Sequence, residues 1–303
     1  MKSQHLFLLK LSVITVFLGR AYQHLFWDVP YRTFIWNEKH LAPILKSFFG
    51  LEWKDYANSL AVDAKIQFGI KLIGLFFVAL AVLVYFLNSR NFNYFKIPIA
   101  IGGFWQILLA LLFTKESFFQ IGQFFEYTLQ IALPFLLLYV FSTNFRLSRF
   151  ILVVKLAIGF TFFAHGLYAL GFYPVPGNFI DMTISVLHTN ESNARLFLLF
   201  VGILDILILP LLFVKSISKY VLIYAAFWGF LTAIARIIAH FDSNFISQIM
   251  HQYSFEFVVR ASNFIIPLLT FFILHKLLLE QKQQQYCPKD NNNWSNQSNK
   301  NSA

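Results

Sequence analysis

The sequence predicts an all-α, polytopic membrane bundle of about eight transmembrane helices. Three observations carry that expectation. The chain of 303 residues is 58% hydrophobic and only 13% charged. Its mean hydropathy is +0.61. Its apolar residues come in continuous runs rather than in alternation. Runs of about 17–22 apolar residues are long enough to cross the hydrocarbon core as helices, and the backbone there must satisfy its own polar groups, which selects helix. The net charge of +10 then reports topology first, so the expected partner is the lipid bilayer and not a nucleic acid. The single cysteine, Cys287, excludes disulfides, paired-cysteine redox chemistry and thiolate metal sites within one chain.

The first run, 6–27, could pass for a signal peptide. Lys10 interrupts it and no small-residue cleavage site follows, so it reads as a retained first helix. The segment from Asp28 to Lys65 is too long for a simple connection. Within it Leu41, Ile44, Leu45, Phe48 and Phe49 recur at helical spacing behind Asn37, a suitable N-cap. Further runs lie at 66–87, 97–113 and 123–141, the last two separated by Thr114-Lys115-Glu116-Ser117. A fifth covers 150–170. A second short amphipathic segment follows, with Phe179, Met182, Val186 and Leu187 on one face and Asn178 placed to cap it. Runs at 196–214, 220–239 and 257–275 complete the set. From Gln281 the chain is rich in Gln, Asn, Ser and Lys and is expected to be disordered. Arg90, Lys96, Arg146, Arg149, Lys215, Lys219 and Lys276 all fall on one side of an eight-span chain, which puts both termini in the cytoplasm of a cell with the protein in its inner, bacterial membrane.

The two halves look alike. KLSVITVFLGRAYQHLFWDVP, from Lys10, and KLAIGFTFFAHGLYALGFYPVP, from Lys155, both open on Lys-Leu and close on Val-Pro, and Arg20 stands where His165 does. Ala64-Lys65 and Ala194-Arg195 each precede the next helix. Pro134 and Pro267 each follow an amide residue, Gln130 and Asn263, by four positions. A four-helix unit used twice accounts for this pattern: residues 1–145 with an outer insertion at 28–65, then residues 146–280, then the tail 281–303. An even number of helices per unit makes the halves parallel. The second half resembles the DoxX family of four-helix membrane proteins, in LAIGFTFFAHGLYALG (Leu156 to Gly171) and in Gly202-Ile203-Leu204-Asp205 on the following helix. Ala169 and Leu170 stand where that family often has a basic residue. The resemblance implies a membrane subunit associated with quinol oxidases or other redox-linked complexes, hence other membrane or redox subunits as partners; fold similarity transfers no reaction.

Arg20, His24, Glu126, His165, Asp205, Arg236 and Arg260 lie inside, or at the rim of, the apolar runs. A charge at the bilayer centre costs about 2.5–3.5 kcal/mol on insertion scales, so such residues face a partner or a polar cavity. The expected topology gathers them in the outer half of the bundle, with Asp205 deepest, as one pocket open to the outside. The arginines suit an anionic head group or a polarised carbonyl. His24 and His165 suit proton exchange with a quinone-like ring, and Asp205 and Glu126 suit counter-ions or relays. The structural alternative is internal pairing, Arg20 with Asp205 or Arg236 with Glu126. Lys10 and Lys155, near the inner rim, can snorkel to the head groups. Among cofactors a quinone fits this set better than a haem held by His24 and His165, because nothing fixes the two rings face to face. No HExxH or ExxH metal motif, P-loop, GxSxG or GxGxxG occurs, so no metal site is expected. The expected function is an accessory membrane subunit with an outward-facing pocket for a quinone or lipid-like ligand. A small-solute transporter or channel is the first alternative, although no polar stripe continues through the inner half. A membrane enzyme acting on a lipid head group, with His24 or His165 as base, is the second.

Overall fold

The computed structural model describes residues 3–286. Regular structure among the described residues is entirely helical: α1 (Ser3–Phe26), α2 (Arg32–Ile35), α3 (Glu38–Ile44), α4 (Trp53–Ala57), α5 (Leu60–Phe86), α6 (Phe92–Glu116), α7 (Ile121–Glu126), α8 (Thr128–Val140), α9 (Leu147–Ala169), α10 (Gly177–Leu187), α11 (Glu191–Leu211), α12 (Ser218–Ala239), α13 (Ile246–Arg260) and α14 (Ser262–Tyr286). Eight segments are long and apolar enough to span a bilayer, with α7–α8 and α13–α14 each counted as one. The protein is a multi-pass integral membrane protein built as an all-α bundle. Of the expected tail, residues 281–286 continue α14, and 287–303 lie outside the described residues.

The fourth and eighth spans are each broken one or a few turns in, and the eighth begins well before the expected 257. A side-chain hydroxyl bonds back to the preceding turn at each break. Thr128 donates to the Phe125 carbonyl (2.7 Å) and Ser262 to the Val259 carbonyl (3.3 Å), in competition with the helical ladder. The Leu129 N–H is taken up by Thr161 Oγ1 from α9 at 3.1 Å, so the broken turn stays satisfied inside the bundle.

Helix α1 packs along α5, and α9 packs along α11. The fourth span, α7–α8, leans on α6 but also crosses to α9; the eighth, α13–α14, leans on α12 and crosses back to α1. Residues 1–145 and 146–280 therefore interlock, and one apolar core runs through both. Burial falls in the same register in each. On α5 Ile70, Gly74, Phe77 and Leu80 are buried, and on α11 Leu198, Gly202, Asp205 and Ile208 follow the same spacing. On α6 and α12 the matched buried residues are Ile99, Gly102, Gln106 and Ala110 against Leu222, Ala225, Gly229 and Ala233. This register sets Gly102-Gly103-Phe104-Trp105 beside Ala225-Ala226-Phe227-Trp228. Leu129, Gln130, Leu133 and Pro134 of α8 likewise match Ser262, Asn263, Ile266 and Pro267 of α14, all buried.

The short helices gather at one end of the bundle. Asn37 caps α3, its side chain accepting from the His40 N–H at 3.2 Å. Only part of the expected amphipathic face is seated: Leu45 is buried, whereas Phe48 and Phe49 point away from the bundle. Asn178 does not cap α10, which starts at Gly177 behind Pro176 and leaves Asn178 within its first turn. Lys10 and Lys155 both end on helix-terminal carbonyls. Lys10 Nζ donates to the Tyr85 carbonyl (3.0 Å) and Lys155 Nζ to the Leu212 carbonyl (2.8 Å), so each places a cation on the unsatisfied C-terminal carbonyls of α5 and α11.

Candidate functional site

Six of the seven singled-out residues meet at the short-helix end, around two adjoining cavities; His24 does not join them. The first cavity, about 200 Å³, is polar and lies between α1, α7, α9, α12 and α13. Arg20 projects into it from α1 and is only 4% exposed. Its guanidinium donates to three amide oxygens: Gln106 Oε1 (3.3 Å), Gln23 Oε1 (2.8 Å) and Gln130 Oε1 (2.9 Å). The rings of Phe113 and Tyr127 lie 5.3 and 5.1 Å from its carbon centre, close enough for cation–π attraction. No carboxylate appears among its partners. The expected pair with Asp205 is not made, because Asp205 faces the other cavity from α11.

The remaining charges pair differently from expectation. Arg236 binds Glu256 of α13, its Nη1 lying 3.0 and 2.8 Å from the two carboxylate oxygens. Glu126 is left to Arg260 Nη2 (3.4 Å), His165 Nε2 (3.8 Å) and Gln123 Nε2 (3.0 Å). Three guanidiniums thus share this space with two carboxylates, and the one without an acid is Arg20. Asn263 reaches the same cavity with its Oδ1 unpartnered.

The second cavity, about 240 Å³, is apolar. Helices α9, α11 and α12 form its walls, and α10 covers it with Phe179 and Met182. Asp205 lines it while only 4% exposed. The Trp228 indole lies close enough to polarise the carboxyl, yet neither Asp205 Oδ1 nor Trp228 Nε1 makes a hydrogen bond of normal geometry. Leaving a buried polar atom unmade costs about 1–3 kcal/mol, so both are exceptions that call for an explanation. His165 and Arg260 line both cavities and join them.

No family model, curated protein or solved structure matches this chain. The site is therefore read from its own chemistry. His24 belongs to a closed network behind Arg20. Its Nδ1 faces the Arg20 carbonyl (2.6 Å), which can only accept, so that nitrogen carries the proton. Its Nε2 then accepts from the Tyr31 hydroxyl (2.8 Å), and the same hydroxyl accepts from Trp105 Nε1 (2.6 Å). Both ring nitrogens of His24 are occupied, and it lines neither cavity, so it does not share a ligand with His165. Among the described residues no three His, Cys, Asp or Glu side chains converge as a metal site would require. Sequence reasoning missed Gln23, Gln106, Tyr31, Trp105, Trp228 and Glu256. The paired tryptophans were findable, since Gly-Gly-Phe-Trp and Ala-Ala-Phe-Trp recur within the third and seventh spans. The glutamines carry no charge to mark them.

Proposed function

We propose that this membrane protein is a non-catalytic accessory subunit that holds a quinone or lipid-like molecule at its short-helix end. The observation that carries the reading is the joined pair of cavities. One is apolar and large enough for a ring or chain segment; the other is polar, with one guanidinium more than its carboxylates can match. A concave apolar site with a few convergent polar groups is the usual form of a small-molecule site, and an amphipathic molecule uses both parts at once.

The stretches that resemble the DoxX family support the same reading. Leu156–Gly171 and Gly202–Asp205 supply His165, Ala169 and Asp205 to the apolar cavity. Gly166 and Gly202 let α9 and α11 approach until a Cβ on Gly166 would stand 2.7 Å from the Gly202 oxygen. The DoxX-like assignment, the descent of both halves from one four-helix unit, a bacterial inner membrane with cytoplasmic termini, and redox subunits as partners all belong to this proposal. The matched burial registers support the duplication.

The test is extraction of the purified protein and mass spectrometry of what it carries. The wild type is expected to retain one amphipathic species in near-stoichiometric amount. Arg260→Gln, and Ala169→Phe, which fills the apolar cavity, are expected to retain at least about ten-fold less, a loss of about 1.4 kcal/mol in binding. Lys71→Gln, on an exposed face of α5, should retain it in full. Equal retention by all four proteins would sink the reading.

A further inference from the structure

The first half of the chain contains a side chain where the second half has a hole. Tyr31 folds back from the segment after α1, and its hydroxyl is the hub between His24 and Trp105. His24 packs on Phe77, ring centroids 5.2 Å apart. In the matched register of the second half the tryptophan is kept and the other three residues are replaced. Trp228 stands for Trp105, Asp205 for Phe77 and Ala169 for His24. Gly177, which follows Val175-Pro176, stands for Tyr31, which follows Val29-Pro30. Gly177 is exposed and carries no side chain that could reach back to the Trp228 indole. The apolar cavity lies beside these replacements, with the Trp228 N–H and Asp205 Oδ1 at its wall, near one another but in no hydrogen bond of normal geometry.

We infer that this cavity takes a neutral, apolar ring carrying a free hydroxyl group, a molecule of the phenol class, seated as Tyr31 is seated in the first half. The inference rests on the reading of the joined cavities as a ligand site and narrows it to a ligand that carries a hydroxyl rather than ketone oxygens alone. Size permits a substituted ring: an apolar hole of about 150 Å³ already binds benzene, and this one is about 240 Å³. Chemistry selects the hydroxyl. Trp228 offers only a donor. Asp205, which stands where the aromatic contact of His24 lies in the first half, offers an acceptor. A group that both accepts and donates satisfies the two together. A ketone or ether meets the Trp228 N–H but leaves Asp205 Oδ1 without a donor, and a carboxylate would bring an unpaired charge into an apolar cavity. The remainder of the ring faces the junction with the polar cavity, where His165 and Arg260 can meet a second substituent.

The experiment uses the full-length protein in lipid nanodiscs with ¹⁵N-labelled tryptophan, titrated with 4-butylphenol, its methyl ether and butylbenzene. The resonance lost in Trp228→Phe identifies the Trp228 indole, and an unchanged Trp105 resonance shows that the first half stays folded. Butylphenol is expected to shift the Trp228 resonance and to bind about ten-fold or more tighter than the other two probes, because a site built to hydrogen-bond a hydroxyl rejects analogues that lack one. Asp205→Leu should erase that preference while butylbenzene still binds, and Ala169→Phe should erase the shift altogether. Equal binding of the three probes overturns the hydroxyl inference and leaves the cavity reading standing. Binding of none overturns both. A shift that persists in Ala169→Phe reports partitioning into the bilayer and also overturns the inference.

Discussion

Replacing Tyr31 with Phe removes one oxygen atom and little else, and the structure says what that oxygen holds. It accepts from Trp105 Nε1 at 2.6 Å and donates to His24 Nε2 at 2.8 Å. Tyr31 is 7% exposed and His24 2%, so water cannot readily replace it. Two buried polar atoms lose their partner, at about 1–3 kcal/mol each. The ring stays in place, so no large cavity term is added, and partial relaxation puts the expected loss at about 2–4 kcal/mol. Reversible unfolding of the purified protein in detergent measures it. Tyr56→Phe is the control: its hydroxyl makes one bond, to the Ile35 carbonyl at 3.2 Å in a part-buried place, and its loss should cost about 1 kcal/mol or less. A double-mutant cycle with Trp105→Phe should return a coupling of about 1–2 kcal/mol, as expected for residues in direct contact. The further variant Tyr31→Ala should lose about 3–5 kcal/mol and regain part of it when p-cresol is added, by about 2.7 kcal/mol at a hundred times its Kd. A Tyr31→Phe protein as stable as the wild type, or a cycle with no coupling, would refute the account of Tyr31 as the occupant of the first-half site.

Glu126→Gln should destabilise the protein by about 2–4 kcal/mol, because it leaves His165 and Arg260 beside one fewer carboxylate in a buried setting; unfolding in detergent measures this, and adding Arg260→Gln should restore part of the loss. Lys155→Met and Lys10→Met should each cost about 0.3–1 kcal/mol by baring the C-terminal carbonyls of α11 and α5, read as lowered melting temperatures that add when combined. Burial pushes the Tyr31 hydroxyl up from 10.0 to about 12. The folded state therefore holds that proton more tightly than the unfolded chain, so the stabilisation is complete below pH 10 and is lost as pH rises through about 12; Tyr31→Phe should remove this step from the alkaline unfolding profile. In a Cys287→Ser background, Ser243→Cys should react with a membrane-impermeant maleimide in intact cells and Thr143→Cys only after lysis; the reverse pattern would invert the proposed topology.

The eight spans were legible because length and hydropathy decide them locally, and one hydrophobic run needs no knowledge of its neighbours. The intramembrane charges were legible for a related reason: each is costly in lipid wherever the helices go. Their partners were not. Whether Arg236 meets Glu126 or Glu256 depends on how α12, α7 and α13 are rotated about their axes, and that rotation is set by packing. The reach of α13 was also hidden, because Ile246–Arg260 is too polar to read as a span by itself. His24 was misjudged because its partner, Tyr31, sits in a connecting segment whose return to the bundle is a tertiary event. Arg20 was expected to need an acid, yet three neutral glutamine oxygens and two rings hold it. Glutamines are unremarkable in a sequence and become informative only when they converge.

The interlocking of the halves bears directly on why the site lies where it does. Arg20 and Glu126 come from the first half of the chain, and His165, Arg236, Glu256 and Arg260 from the second. The polar cavity exists because the fourth span crosses to α9 and the eighth crosses to α1. Neither half alone could assemble it: Glu126 would lose Arg260 and His165, and those two would lose the carboxylate they share. The apolar cavity, by contrast, is built almost wholly by the second half, at the position the first half closes with Tyr31, Phe77 and His24. A membrane protein can remove a buried Trp N–H and a buried carboxyl oxygen that lack well-formed hydrogen bonds by the substitutions that its own first half displays. Their presence together at the wall of a cavity costs stability, and occupancy by a molecule with a hydroxyl group offsets that cost in the loaded state. The bundle should accordingly be least stable when empty, with the difference concentrated in α10 and the ends of α11 and α12 that enclose the cavity, while the Tyr31 network on the opposite side is indifferent to ligand.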